Sequence, residues 1–392
     1  EPMPIENKPD FTGLILVSGE DRPGITESLM QTLSAFSVTI IDIEQLVIRD
    51  RLLLTVLLSL DEAHAEAITE DLSVLQEQIG LDIAIDFTRQ DSAKISGETL
   101  RVVVVGNAIK PSGLAAVASQ IAKLGGNISA IKRTAVDPLI SIELELSIPN
   151  NSLKAVQGAL ASVAIENKID LAVEPGGLQR KSKRIVMLDM DSTLIEQEVI
   201  NLLGQAAGKS SEIEAITDKA MAGDLDFKTA LIERVSLLKG LDHNILSKVR
   251  DQITLTKGAK KLVDELHQHG HKVGVVSGGF IEVIEPILKS LEIDFYRANK
   301  LRIKDGILTG EIDGPLIDSH AKRMALEEFS DQEKVQLEQT VAIGDGANDL
   351  EMIKAAGLGI AFNAKPKLAA AADTTISNQD LSTVLLLMGI SI

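Results

Sequence analysis

Three short apolar runs in the sequence each end in polar residues that can do chemistry. The runs and the clusters that follow them are Ile185-Val186-Met187-Leu188 before Asp189-Met190-Asp191-Ser192-Thr193, residues 273–276 before Ser277-Gly278-Gly279, and residues 341–343 before Gly344-Asp345-Gly346-Ala347-Asn348-Asp349. Short apolar runs separated by helical patterns are typical of a parallel α/β sheet. In open α/β sheets ligands bind at the carboxyl ends of the strands. We therefore expect the three clusters to share one crevice.

The acidic residues of these clusters suit metal binding and group transfer. Asp189 and Asp345 end different strands and can bind one hard cation through oxygen, which favours Mg²⁺. Asp189 and Asp191 are two residues apart in a turn, so they need not point to opposite faces of the sheet. One of them can attack phosphorus while the other transfers a proton.

Other residues can hold a phosphoryl group against these carboxylates. Ser277 and the backbone N–H groups near Gly278 and Gly279 can form an anion cradle at the start of a helix. Lys322 can neutralise the transferring phosphoryl group. Uncatalysed hydrolysis of phosphate monoesters is among the slowest reactions, and converging charge is the main way to lower its barrier. The pattern therefore predicts phosphoryl-transfer chemistry.

The elements that position these residues include a long insertion. The first two strands are separated by about 80 residues, far more than one crossover helix needs. Patterns in this interval are mostly helical from residue 198 to about residue 267, and we interpret it as an inserted helical cap. For residues 185–392 we therefore predict an α/β fold, a Rossmann-like parallel sheet with this cap inserted in it.

The N-terminal half of the sequence is a two-copy repeat with a period of about 88 residues. In the first copy, residues 11–92, an apolar run is followed by a turn and by apolar residues at helical spacing from Ile25 onward. Further runs complete the order βαββαβ, and residues 98–174 repeat it. We predict two α+β domains, with an N-terminal tail at residues 1–10 and a linker at residues 175–184.

Composition excludes several classes of function. The formal net charge of −18 argues against general affinity for nucleic acid or anionic membranes, which needs clustered Lys and Arg. The absence of Cys excludes disulfides, thiolate metal sites and a Cys nucleophile. No apolar run is long enough to span a bilayer, and the N-terminus lacks the pattern of a signal peptide. We expect a cytoplasmic protein that binds neither nucleic acid nor membrane.

With these clusters, and with Ala321-Lys322 between the second and the third, residues 185–392 resemble the haloacid dehalogenase superfamily and, within it, the phosphoserine phosphatases. The resemblance implies that Asp189 is the nucleophile and that Asp191 acts first as general acid and then as base. It also implies a Mg²⁺ ion bound by Asp189, Asp345 and the main-chain carbonyl of Asp191, with Asp349 supporting these ligands.

The same resemblance implies O-phospho-L-serine as the substrate, a ligand with an ammonium and a carboxylate group. Glu198 would bind the ammonium, Arg234 would fork onto the carboxylate, and Phe227 would shield both from water. The phosphate side of the site would be formed by Ser277, Gly278, Gly279, Lys322 and Asn348.

The two N-terminal repeats resemble ACT domains, which commonly bind small amino acids between subunits or modules. The turn with Gly19, Asp21 and Gly24, and its counterpart at Gly106, fall where that family's ligand loop lies. The second copy departs from the pattern, because it lacks an acidic residue corresponding to Asp21 and its loop is one residue longer. The resemblance implies a homodimer that is regulated by serine or another small amino acid.

The expected reaction is Mg²⁺-dependent hydrolysis of O-phospho-L-serine to L-serine and phosphate through an aspartyl-phosphate, the last step of serine biosynthesis. Two alternatives stay open. One is another small-molecule phosphatase or mutase of the superfamily, which a substrate panel would identify. The other is a protein that chiefly senses amino acids through its ACT domains, although the intact Asp189, Asp191, Lys322 and Asp345 argue against it.

Overall fold

A computed structural model describes residues 10–90, 98–136, 139–149, 152–176, 185–222 and 224–390. The predicted tail, apart from Asp10, and residues 177–184 of the predicted linker lie outside the described residues. The chain divides into two compact units, Glu1–Ile95 and Ser96–Ile392.

The first unit contains a four-stranded antiparallel sheet with two helices packed on one face. Its elements are β1 (Asp10–Glu20), α1 (Ile25–Leu33), β2 (Thr39–Ile48), β3 (Arg51–Ser59), a 3₁₀ turn (Glu62–His64), α2 (Ala65–Ile79) and β4 (Asp82–Gln90). The strand order is β2-β3-β1-β4. Side chains alternate along β3, so Leu54 and Val56 are buried in the core while Leu53 is exposed. The predicted βαββαβ order is confirmed.

The second repeat has the same order of elements, and its strands are arranged as β6-β7-β5-β8. Its elements are β5 (Glu98–Gly106), α3 (Pro111–Lys123), β6 (Asn127–Ala135), β7 (Ile140–Ile148), α4 (Leu153–Asn167) and β8 (Asp170–Pro175). Val102 and Val104 join the core formed with the helices, whereas Val103 and Val105 join the core of the C-terminal domain. Both faces of β5 are therefore buried, which explains its unbroken run of valines.

The C-terminal domain is built on a six-stranded parallel sheet with the order β11-β10-β9-β14-β15-β16. Its strands, with the hairpin β12–β13, are β9 (Ile185–Leu188), β10 (Lys272–Phe280), β11 (Phe295–Asn299), β12 (Leu301–Lys304), β13 (Ile307–Ile312), β14 (Thr340–Gly344), β15 (Leu358–Phe362) and β16 (Thr374–Ile376). Strand β9 pairs with β10 on one side and β14 on the other. The three strands that end in polar clusters are therefore neighbours in the sheet, which brings the clusters to one edge, as expected for a shared crevice.

The helices of this domain pack on the sheet and form the cap. In chain order they are α5 (Val199–Ala206), α6 (Ser210–Ala222), α7 (Phe227–Ser236), α8 (Ile245–Arg250), α9 (Ala259–Gln268), α10 (Ile281–Ser290), α11 (Ser319–Gln332), α12 (Leu350–Ala355), α13 (Pro366–Ala369) and α14 (Thr383–Leu387). Val186 and Leu188 of β9 belong to one buried cluster and Ile185 and Met187 to another, so both faces of the sheet are covered. Within the described ranges, no helix combines the length and apolar character needed to cross a bilayer.

The inserted cap begins and ends at two neighbouring stretches of chain. Ile195 forms a β-bridge with Leu255, and the backbone N–H of Glu196 donates to the carbonyl of Thr254 at 3.0 Å. The cap therefore holds α5 to α8. Helix α9 lies beyond it and packs against β10 and α14. The predicted end of the cap near residue 267 was too late, because a helical pattern does not show which layer a helix joins.

The hairpin of β12 and β13 was not predicted from the sequence. It follows β11 and bonds to the chain that leaves α7 in the cap. The N–H of Leu308 donates to the carbonyl of Leu241 at 2.8 Å, and the N–H of Gly240 donates to the carbonyl of Leu308 at 2.9 Å. The hairpin therefore fixes the cap to the sheet domain at a second place.

Candidate active site

The first polar cluster forms a tight turn that returns over the end of β9. Asp189 Oδ1 accepts a hydrogen bond from the N–H of Met190 at 2.7 Å. Ser192 has a φ of 55°, in the left-handed region, and the N–H of Ile195 closes the turn on the carbonyl of Met190 at 3.0 Å. Asp189 and Asp191 therefore lie at the same end of the sheet, as the sequence predicted.

Asp191 is held between the cap and the sheet. Its Oδ2 accepts from the N–H of Val199, the first residue of α5, at 3.3 Å. Its Oδ1 is buried and has no hydrogen-bond partner in the part of the chain that the structure describes. A Cβ atom placed on Gly279 would lie 3.4 Å from this oxygen, so the glycine leaves room beside it. One oxygen of Asp191 therefore stays without a hydrogen bond from any described residue.

Lys322 forms ion pairs with two of the predicted site aspartates. Its Nζ lies 2.8 Å from Oδ1 of Asp189 and 2.7 Å from Oδ1 of Asp349, and the side chain is fully buried. It belongs to α11, whose N-cap residue Asp318 accepts from the N–H of Ala321 at 2.8 Å. Helix α11 thus fixes the ammonium group directly beside the predicted nucleophile.

Carboxylate oxygens of Asp189, Asp345 and Asp349 lie within 4.8 Å of one another. Oδ2 of Asp349 accepts from the N–H groups of Asp345 and Gly346, at 3.1 Å each, so Asp349 supports the loop that carries Asp345. Among the described residues, the carboxylate of Asp345 makes no hydrogen bond and no ion pair. Buried oxygens with free lone pairs on Asp189 and Asp345 fit a hard divalent cation.

The pKa shifts of these buried side chains also fit a bound cation. Burial, followed by the negative charge of Asp349, raises the pKa of Asp189 well above its usual range, although Lys322 opposes the shift. Burial and the charges of Asp349 and Glu198 raise the pKa of Asp345 to about 7. Burial alone would lower the pKa of Lys322, but Asp189 and Asp349 outweigh it and the pKa is raised. The site holds more negative charge than one lysine balances, and a bound cation would offset the excess.

The second polar cluster forms the opposite wall of the site. Oγ of Ser277 is buried and accepts from the N–H of Gly279 at 2.8 Å. Asn299, which sequence reasoning missed, donates through Nδ2 to the carbonyl of Gly278 at 2.9 Å and accepts through Oδ1 from the N–H of Ile317 at 2.8 Å. A polar residue ending the edge strand β11 was the only signal for Asn299 in the sequence. Through these two hydrogen bonds, Asn299 fixes the loop at Gly278 against the segment that leads to α11.

The cap covers these groups and encloses a cavity of about 1040 Å³. The predicted site residues that line it are Asp189, Asp191, Glu198, Phe227, Arg234, Gly278, Gly279, Asp345 and Asn348. Three further predicted site residues are buried and do not line the cavity themselves: Ser277, Lys322 and Asp349. Phe227 begins α7, and a Cβ atom on Gly278 would lie 3.7 Å from its Cζ. The phenyl ring therefore meets the glycine loop across the cleft.

Glu198 is the N-cap residue of α5 and Arg234 lies in α7, so the cap positions both side chains. Oε1 of Glu198 accepts from Oγ of Ser192 at 2.8 Å. Arg234 donates through Nε to the carbonyl of Ala230 at 3.2 Å and through Nη1 to Oγ1 of Thr217 at 3.4 Å, and it has no ion pair with a described residue. Burial lowers the pKa of Arg234 against the charges of Glu198 and Asp191. The guanidinium is thus partly desolvated and free to bind a ligand carboxylate.

Lining residues that the sequence did not reveal connect the cap to the sheet domain. Nζ of Lys228, in α7, lies 3.0 Å from Oδ2 of Asp318, at the start of α11. Lys365 and Lys367 flank the cavity at α13, and the N–H of Lys365 donates to the carbonyl of Asp345 at 3.1 Å. Single exposed lysines carry no distinctive sequence pattern, so only the assembled cavity identifies them.

The predicted effector residues lie at strand ends in the two repeats. Gly19 is near the end of β1, and a Cβ atom there would lie 2.2 Å from Cδ2 of Leu81. The N–H of Asp21 donates to the carbonyl of Asp50 at 2.8 Å, and Gly24, with a φ of 92°, is the N-cap residue of α1. Gly106 ends β5. Effector binding by these residues stays a prediction.

The sequence resembles known families over almost its whole length. Residues 186–354 match the haloacid dehalogenase-like hydrolase family, and residues 12–86 and 98–174 each match an ACT domain family. A phosphoserine phosphatase of Mycobacterium tuberculosis is 43% identical over 96% of this chain and 93% of that protein. A phosphoserine phosphatase of Streptomyces coelicolor is 41% identical over 97% of this chain and 92% of that protein.

Solved structures agree with the fold. A haloacid dehalogenase family hydrolase from Salmonella enterica serovar Typhi aligns with a TM-score of 0.63 and 25% identity, over 74% of this chain and 98% of its own. A phospho-aspartyl intermediate analogue of a phosphoserine phosphatase aligns with a TM-score of 0.50 and 44% identity, over 52% of this chain and 97% of its own. The chain therefore belongs to the phosphoserine phosphatases of the haloacid dehalogenase-like hydrolases, with two ACT domains before the catalytic domain.

Proposed function

We propose that this chain catalyses the Mg²⁺-dependent hydrolysis of O-phospho-L-serine to L-serine and phosphate through an aspartyl-phosphate on Asp189. The observation that carries the proposal is the placement of two sets of groups around one cavity. Asp189 and Asp191 lie at the sheet end, while Glu198 and Arg234 lie on the cap side. The first pair suits phosphoryl transfer and the second suits the two charged groups of a phosphorylated amino acid. The relatives named above support the same substrate.

The first half of the reaction transfers the phosphoryl group to the enzyme. A carboxylate oxygen of Asp189 attacks phosphorus in line with the bond to the seryl oxygen. The new P–O bond forms as the P–O bond to serine breaks, and Asp191 gives its proton to the departing seryl oxygen. Burial, then the charge of Glu198, raises the pKa of Asp191 well above its usual range, which favours the protonated carboxyl that this step needs.

The second half regenerates the enzyme. Asp191 takes a proton from a water molecule, the water oxygen bonds to phosphorus, and the P–O bond to Asp189 breaks to release phosphate. Lys322, already 2.8 Å from Asp189, neutralises the phosphoryl oxygens. The N–H of Gly278 is the proposed backbone donor to the same oxygens, because the N–H of Gly279 already donates to Oγ of Ser277 at 2.8 Å. Donors fixed in place before the reaction stabilise the transition state without reorganisation.

Asp189 and Asp345, with the main-chain carbonyl of Asp191, would hold the Mg²⁺ ion. When bound, Mg²⁺ neutralises developing charge on phosphoryl oxygens and orients them for in-line displacement. Asp349 keeps its hydrogen bonds to the backbone of Asp345 and Gly346, so it orients the ligand loop.

The ACT domains support regulation by a small amino acid such as serine. The turn with Gly19, Asp21 and Gly24 is the proposed effector site, and a homodimer is the expected assembly. A cytoplasmic location, inferred from composition, belongs to the same proposal.

The direct test is phosphate release by the purified full chain from O-phospho-L-serine, with and without Mg²⁺ after chelation. A panel of other small phosphate esters is assayed in parallel. We expect turnover that requires added Mg²⁺ and prefers phosphoserine. In Asp189→Asn we expect no turnover but retained binding of phosphoserine, measured by calorimetry. Full activity in this variant, or a better substrate lacking the amino acid group, would disprove the proposed nucleophile or the proposed substrate respectively.

A further inference from the structure

Helix α10 contains a proline in its second turn, which leaves one main-chain carbonyl without its helical partner. The helix runs from Ile281 to Ser290, and Pro286 lies inside it. In an α-helix the carbonyl of one residue accepts from the N–H four residues later, and proline has no N–H. The carbonyl of Glu282 therefore cannot form its regular hydrogen bond within the helix.

A side chain from the cap takes the place of the missing donor. Arg250, the last residue of α8, donates through Nη2 to the carbonyl of Glu282 at 2.6 Å and through Nε to the carbonyl of Val283 at 2.8 Å. A guanidinium holds its donors in a rigid fork, so these two bonds fix both the position and the direction of the arginine. The end of the cap is thereby tied to the first turn of α10.

The side chain of Glu282 makes a second connection, to the hairpin of β12 and β13. Its Oε1 accepts from the N–H of Leu301, the first residue of β12, at 3.0 Å. Its Oε2 is buried and has no hydrogen-bond partner among the residues that the structure describes. Burial raises the pKa of Glu282 in spite of the bond to Leu301. The carboxylate is therefore held at this place although its desolvation is unfavourable.

The connection through Arg250 leads to the part of the cap that holds the proposed proton donor. Helix α8 packs against both α10 and α5. The N–H of Val199 at the start of α5 donates to Oδ2 of Asp191 at 3.3 Å, and Glu198 is the N-cap residue of the same helix. A shift of α8 relative to α10 would therefore reach Asp191 and Glu198 through α5.

The connection through Leu301 leads to the part of the cap that is proposed to bind the substrate carboxylate. The hairpin bonds at Leu308 to the chain that leaves α7, and α7 carries Arg234. Glu282 itself lies three residues after Gly279, where the chain continues from the phosphate side of the site into α10. Glu282 is thus a junction between that side and two separate parts of the cap.

We propose that Glu282 and Arg250 are positioning residues for the reaction, because together they set the distance between the cap and the loop at Gly278. A substrate that reaches from this loop to Glu198 and Arg234 depends on the distance. A ligand that occupies the phosphate side alone does not depend on it. This role rests on the proposed function, whereas the attachment of the cap to α10 does not.

The first test compares O-phospho-L-serine with inorganic phosphate, which has no group for the cap to bind. Phosphate is measured as a competitive inhibitor of phosphoserine turnover. Arg250→Met should lower kcat/KM for phosphoserine by roughly tenfold to a hundredfold, as expected when reacting groups are displaced. It should leave Ki for phosphate unchanged, because Asn299 holds the loop at Gly278 to the sheet domain without the cap. Equal effects on both constants would overturn the proposal.

Pro286→Ala separates positioning from the simple pairing of a carbonyl. The N–H of the new alanine can donate to the carbonyl of Glu282 within the helix, so the variant Arg250→Met/Pro286→Ala no longer leaves that carbonyl unpaired. We expect it to regain the melting temperature that Arg250→Met loses but to keep the low kcat/KM. Recovery of both would show that Arg250 only satisfies the carbonyl, and the proposal would then be wrong.

Glu282 is tested by a conservative and a disruptive substitution. Glu282→Gln keeps an acceptor for the N–H of Leu301 and should retain kcat/KM for phosphoserine, whereas Glu282→Leu removes the acceptor and should lower kcat/KM as Arg250→Met does. Lys248→Met, at an exposed position of α8, is the matched control and should change neither kinetic constant. Equal activity of the Gln and Leu variants would refute the role of this side chain.

The attachment of the cap is also measured without substrate, by hydrogen exchange of the amide groups. We expect faster exchange in α8 with Arg250→Met/Pro286→Ala and in β12 with Glu282→Leu, each relative to the unsubstituted chain. Unchanged exchange would overturn the proposal whichever phosphate ester the enzyme prefers. Absence of phosphoserine turnover by the unsubstituted chain would instead refute the proposed function, so the two failures are distinguishable.

Discussion

Replacing Arg234 with Met tests the substrate assignment most directly, because Met keeps the apolar stem and removes the charged fork. In the structure Arg234 has only neutral partners, at 3.2 and 3.4 Å, so little of its own network is lost. Two charge-assisted hydrogen bonds to the substrate carboxylate contribute about 1.5 kcal/mol each. Their loss, about 3 kcal/mol, corresponds to a roughly 150-fold fall in kcat/KM.

The assay compares O-phospho-L-serine with phosphoethanolamine, which has the same ammonium and phosphate groups but no carboxylate. We expect Arg234→Met to lower kcat/KM for phosphoserine by the full factor and to leave phosphoethanolamine almost unchanged. Lys219→Met, at an exposed position of the cap helix α6, is the control for a general loss of cap charge and should affect neither substrate. Equal falls for both substrates with Arg234→Met would refute carboxylate recognition by this residue.

Two further substitutions test the buried support of the site. Lys322→Met leaves the carboxylates of Asp189 and Asp349 buried without their shared cation. In Mg²⁺-free buffer we expect the free energy of unfolding, measured by urea denaturation, to fall by about 3 kcal/mol. Unchanged stability would contradict the ion-pair geometry. In Gly344→Ala the new Cβ atom would lie 2.3 Å from Cγ of Asp349, so we expect about 1–3 kcal/mol of destabilisation and weaker Mg²⁺ binding by calorimetry. Gly158→Ala is the control, because nothing lies within 4 Å of the added atom, and it should stabilise the protein by about 0.5–1 kcal/mol. Equal effects of the two substitutions would argue against close packing between Gly344 and Asp349.

The two ACT domains show how one pattern acquires two environments. In the first, Leu16 of β1 is exposed on the outer face of the sheet. In the second, Val103 of β5 is buried in the core of the catalytic domain. Both strands are continuous apolar runs in the sequence. Neither run therefore shows which of its alternating side chains are buried and which are exposed. The second ACT domain is therefore joined to the catalytic domain through its sheet.

The sequence by itself determined the two repeats, the parallel sheet and the polar clusters that follow three of its strands. Strand and helix patterns are local, and the clusters at Asp189, Ser277 and Asp345 each follow an apolar run, so their meeting at one sheet edge could be predicted from strand topology alone. In the structure these clusters follow the neighbouring strands β9, β10 and β14. The glycines and aspartates of these clusters could be identified from the local pattern alone, without reference to the rest of the chain.

Only the tertiary structure decided how separate segments contact each other. The end of the cap before α9, the support given by the hairpin at Leu308, and the hydrogen bonds of Asn299 all join residues far apart in sequence. Periodicity reports which face of an element is apolar and not which partner covers it. The ion pair of Lys228 with Asp318 and the hydrogen bonds of Asp170 with Ser377 and Asn378 depend on distances that exist only after the domains have packed.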